Sequence, residues 1–176
     1  MRRFIILPLL LTALAAPGAL AAPIGTASTT SSFDASKLFT SMTIDDVEAV
    51  VKEAGLKYER QTGGNGESID AESPDGLKYS ISLVNCPESG ERRCESLNLI
   101  SYTFNETANM TLKRVNEWNR DQAWGVRGML FSDGTSGMTM NIAVDGGVTA
   151  GWLKARLDNY SYYIKSFSDL IQGVTP

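Results

Sequence analysis

The sequence predicts an α+β domain: a single antiparallel β-sheet of about six strands with helices packed on it. Three observations carry that prediction. Three separated stretches place their apolar residues on one helical face. Between them run short segments of alternating, β-branched or aromatic character. Short turns join neighbouring segments, which suits antiparallel pairing. The predicted order is α-β-β-β-β-α-β-β-α, and no repeat period is present.

The first helix opens at "TIDD". Thr43 stands at the N-cap position with Asp46 three residues on, close to a capping box. Ile44, Val47, Val50, Val51 and Ala54 share a face, and Gly55 supplies a left-handed cap, so the helix is predicted over Ile44–Ala54. Four strands follow in "LKYERQ", "ESIDAES", "LKYSISLVNC" and "CESLNLISYTF". The turns "GGNG" and "PDG" and a loop between two cysteines separate them.

The stretch "LKRVNEWNRDQAWG" reads as the second helix. Leu112, Val115, Trp118 and Ala123 fall within one arc of about 140°, while Lys113, Arg114, Glu117, Arg120 and Asp121 lie opposite. Asn116 sits at the edge of the arc. Asn119 falls at its centre, where a buried amide must find partners. Hydrogen bonds to nearby backbone are its expected role. Trp124-Gly125 ends the helix.

"VRGMLF" then makes a strand and "SDGTSG" a turn. "MTMNIAV" makes another strand, with Met138, Met140, Ile142 and Val144 on one side. "DGGV" turns the chain into a final helix with Thr149 as N-cap. Trp152, Leu153, Leu157, Tyr160, Tyr163, Ile164, Phe167, Leu170 and Ile171 cover one continuous face of that helix. Arg156 falls inside the face, where it is expected to snorkel past the sheet edge or pair with an acid.

Ahead of the domain, Met1-Arg2-Arg3 is a short basic start and Phe4–Leu20 is almost wholly apolar. Ala19-Leu20-Ala21 fits a small-x-small cleavage site, so residues 1–21 read as a secretory signal peptide. The apolar run is short and carries Pro8, Pro17 and Gly18, which disfavours a membrane span. No span is expected after cleavage. Residues 22–42, rich in Ala, Ser, Thr and Gly, read as a flexible leader, and the folded domain is placed at 43–174. The expected location is periplasmic or secreted.

Cleavage leaves 155 of the 176 residues and 14 basic against 20 acidic side chains, a net charge of −6. That argues against a nucleic-acid partner, which would require a basic stripe. Cys86 and Cys94 are the only cysteines, with the seven residues "PESGERR" between them. Export makes a disulfide the expected state, stapling the third strand to the fourth. A metal site is disfavoured, because the chain has no histidine and two thiolates make a poor zinc site.

The organisation, with "LKRVNEWNRDQAWG" and "MNIAVDGGVTAGWL", resembles the YbjN family of bacterial domains over about Thr43 to Ile171. A cysteine-bearing hairpin ahead of the "NEWNR" helix resembles exported members. Asn116, Trp118, Asn119 and Arg120 match the family motif, as do Asp145, Gly146, Gly147 and Val148. The resemblance implies a fold similar to type III secretion chaperones, an antiparallel sheet flanked by helices. It implies a regulatory role with no established enzyme activity and no catalytic residues to carry over, and no cofactor is expected.

Function is therefore expected to lie in binding. The expected activity is that of a non-enzymatic periplasmic accessory domain, acting on another protein or on a second copy of itself. A hydrolase is the alternative, with Asp70 and Glu72 as paired carboxylates on one strand face. Against it stand the missing histidine base, the missing G-x-S-x-G elbow and the missing phosphate-binding loops.

Overall fold

The computed structural model describes residues 33–63, 66–104, 110–121 and 125–174. The signal peptide expected over 1–21, the leader up to residue 32, the tip of the "GGNG" turn, and Ala123 and Trp124 lie outside them. The elements run β1 (Leu38–Phe39), α1 (Ile44–Glu53), β2 (Lys57–Gly63), β3 (Gly66–Glu72), β4 (Lys78–Val84) and β5 (Ser96–Phe104). They continue with α2 (Leu112–Asp121), β6 (Val126–Leu130), β7 (Ser136–Ala143), β8 (Val148–Thr149) and α3 (Ala150–Gln172). Six strands form one antiparallel sheet in the order β2-β3-β4-β5-β7-β6. The α+β class and the predicted order of helices and long strands are observed.

Local chemistry sets the helix ends. Thr43 Oγ1 accepts from the Asp46 N–H at 3.2 Å, and the Asp46 carboxylate accepts from the Thr43 N–H at 3.1 Å, which completes the capping box. Ala54 caps the far end, and Gly55 follows at φ +69°. Thr149 caps α3 through its side chain, and Gly173 closes that helix in the left-handed conformation.

Alternation along the strands puts Ile69, Ala71, Tyr79, Ile81, Leu83, Leu97, Leu99, Met138, Met140 and Ile142 on one buried face. Helix α1 packs against β3 and α3, while α3 runs over β5, β6 and β7. The opposite face carries Ser80, Ser82, Asn98, Thr139 and Asn141, and no helix among the described residues packs on it. Under α3, Tyr160 donates to the Met138 carbonyl at 2.7 Å, and its ring stacks tilted on Tyr79 at 4.9 Å. Burial pushes the Tyr79 hydroxyl up to about 12, against a smaller opposing effect of the neighbouring Ser161 hydroxyl.

Three expectations are corrected. Residues 33–42, assigned to the leader, are part of the fold. Strand β1 pairs with β8, Phe39 and Met42 are buried, and Met42 exchanges two main-chain bonds with Cys94 at 2.9 and 2.8 Å. These apolar residues follow no period, and their partners are far away in sequence, so a local reading passes over them. Trp152, placed on the buried face of the last helix, is 40% exposed. It stands in the first turn of α3, beside the small β1–β8 ribbon, and Arg156 lies 4.8 Å over its ring. Leu112, placed in the apolar arc of the second helix, is 64% exposed. It begins a helix laid along the outermost strand, β6, where less of the arc is covered.

The hairpin staple is present. Cys86 and Cys94 are bonded at 2.06 Å across the β4–β5 turn.

Candidate functional site

Helix α2 is fastened to the rest of the domain by four side chains. Val115 and Trp118 are buried, and the indole meets the Phe167 ring edge-on at 4.9 Å. Arg114 donates through Nη2 to the Leu170 carbonyl at 3.2 Å. Asn119 reaches β6, where its Oδ1 accepts from the Gly128 N–H at 2.7 Å and its Nδ2 donates to the Gly128 carbonyl at 3.1 Å. Gly128 is an edge-strand residue, so this amide takes the place of a neighbouring strand at that point. The missing Cβ matters as well. A Cβ on Gly128 would sit 2.5 Å from Phe167 Cε2, so only glycine lets that ring lie on the sheet.

Outside this contact, α2 and α3 leave a groove of about 400 Å³. Trp118 and Leu170 line it between Arg114, Glu117 and Asp121 on one wall and Tyr162, Lys165 and Asp169 on the other, with Val174 at one end. Lys165 pairs with Asp169 along α3, and Lys113 with Glu117 along α2. The groove thus offers an apolar floor and a rim of both charge signs. Among the described residues the exposed large hydrophobic side chains are Leu38, Leu112, Trp152, Tyr162 and Val174. Two of these line the groove, and a third begins the helix that forms one of its walls.

A family model described as "YbjN: Putative bacterial sensory transduction regulator" matches residues 43–173. The chain belongs to the YbjN family. No curated protein and no solved structure matches it.

The YbjN motif residues named from the sequence do not converge on one site. Trp118 and Asn119 point into the domain, whereas Asn116 and Arg120 are exposed and Arg120 pairs with Asp121 at 2.9 Å. Asp145, Gly146, Gly147 and Val148 form the turn into β8 and α3. Asp145 accepts from the Gly146 N–H at 3.0 Å, and Gly147 adopts φ +87°. The turn lies at the N-terminal end of α3, while "NEWNR" meets Phe167 near the other end, about 25 Å away along the helix at its ordinary rise. Asp70 and Glu72 lie on the open face of the sheet, and Glu72 accepts from Lys57 at 3.1 Å. The YbjN description names regulation rather than catalysis, and no helix among the described residues is long and apolar enough to cross a membrane.

Sequence reasoning missed Tyr162 and Val174 as surface groups. Tyr162 stands about 200° around the helix from buried Tyr160, so the helical wheel did contain that signal. Val174 follows the cap of α3, where no periodicity applies.

Proposed function

We propose that this YbjN chain is an exported, non-enzymatic accessory domain that regulates by binding another protein, and that the partner docks in the α2–α3 groove. One observation carries the reading: exposed Tyr162 and Val174 line a concave apolar strip whose wall is the family-motif helix. Exposed apolar side chains gathered in a concavity mark interaction surfaces, whereas scattered ones do not. The signal peptide read from the sequence and the disulfide both fit a periplasmic setting.

The test is retention of a partner from periplasmic extract on the mature domain, compared with a Tyr162→Ala/Val174→Ser variant. A specific protein held by the wild type and released by the variant at an unchanged unfolding midpoint is the expected result. Equal retention by both would move the site elsewhere. Self-association lost in the same variant would make the partner a second copy.

A further inference from the structure

The two edges of the large sheet are treated differently. At the β6 edge, the Asn119 amide occupies both backbone groups of Gly128. At the other edge, β2 pairs, among the described residues, with β3 alone, over seven consecutive residues without a bulge or proline. Among the described residues, no hydrogen bond reaches its outward backbone. A long regular edge of this kind is a template for another strand, and the charges of Lys57, Glu59 and Arg60 along it turn away an apolar strand while admitting one of complementary charge.

Charge identifies what fits there. On the helix-covered side of β2, Arg60 is flanked by the carboxylates of Asp45, Glu48 and Glu67. On the open side, Glu59, Asp70 and Glu72 face Lys57 and Lys78 around a hollow of about 410 Å³. Carboxylates thus outnumber cations three to one on the helix-covered side and three to two around the open hollow, while the Arg92 guanidinium lies against Gly66 at the β2–β3 turn. A strand added here would set alternate side chains against one acidic side and then the other.

We infer that the free edge of β2 takes up an extended, basic segment of a partner protein as a further strand of the sheet. Main-chain hydrogen bonds would hold the segment, and the carboxylates on either side would select lysine or arginine. The inference rests on the chain being a protein-binding module but is independent of the α2–α3 groove.

The probe is an acetylated, amidated peptide of alternating lysine and valine, matched in length to β2. Its control is the same peptide with proline at alternate positions. Binding is read by fluorescence anisotropy and by amide hydrogen exchange on the full mature domain. The expected result is binding that slows exchange along β2 and fails with the proline peptide. Glu59→Lys/Asp70→Lys should weaken it by about tenfold or more at low salt, with a smaller effect as salt rises. Both side chains are exposed, so the variant should unfold at the wild-type midpoint. Equal binding of the proline peptide would reduce the effect to charge alone and overturn strand addition. So would protection confined to other elements, or β2 amides already protected in a concentration-dependent dimer. Binding retained by Tyr162→Ala/Val174→Ser separates this edge from the groove, so either site can fail without the other.

Discussion

Asn119 shows what a single side chain does at a sheet edge. It satisfies an N–H and a carbonyl that would otherwise face the outside of β6, and it orients α2 by doing so. Asn119→Leu keeps the size and removes both bonds. It should cost about 1–3 kcal/mol in urea unfolding, the range for stranding a hydrogen-bonded group. Partner retention by the folded fraction should be little changed. Lost retention at unchanged stability would instead make this amide part of the binding surface. Trp118→Ala removes the indole between α2 and Phe167 and should cost about 3–5 kcal/mol. A denaturation midpoint equal to wild type would show that the contact holds nothing together. Asn119 was legible in the sequence as a polar residue at the centre of an apolar arc. Gly128 was not, because nothing in "VRGML" indicates that a distant phenylalanine will rest on it.

At the scale of elements, α1 depends most on charge. Asp46 is partly buried, which raises its pKa. Hydrogen bonds from Lys37 and from the backbone and hydroxyl of Thr43 outweigh this and hold it below the ordinary carboxylate range. A carboxylate with a depressed folded pKa stabilises the fold above its unfolded value. That contribution is lost as pH falls through the folded one, here below about 4. Asp46→Asn should therefore lower stability at neutral pH by about 1 kcal/mol, the scale of a lost helix cap. The gap between variant and wild type should close as the buffer is acidified. An undiminished gap in acid-urea titrations would show that the carboxylate's charge is not what counts. This helix was readable from "TIDD" and its apolar spacing. The reach of Lys37 to Asp46 was not, because it depends on residues before Thr43 that carry no pattern of their own.

For the whole molecule, the class and the succession of helices and long strands were visible because each long element carries its own period and each hairpin its own turn. The strand order was hidden. Antiparallel neighbours in sequence suggest neighbours in space, yet β7 lies between β5 and β6. The bareness of one sheet face was hidden too, since serines and asparagines facing water read the same whether or not a helix covers them. The inserted strand bears on how the chain reaches this state. Strands β2 to β5 pair in the order in which they are made, through short loops that close quickly. After that, β5 presents an unpaired edge with Leu97, Leu99 and Ile100 along it. It must wait for β7, which brings β6 with it as a hairpin, while α2 spans the gap. Until that hairpin docks, the half-built sheet carries a sticky flank, and no product of the last third of the chain is there to cover it. A nascent chain passes through that interval on every round of synthesis. It is the stage at which a holding factor would matter most and at which crowding with other unfinished copies would do most harm.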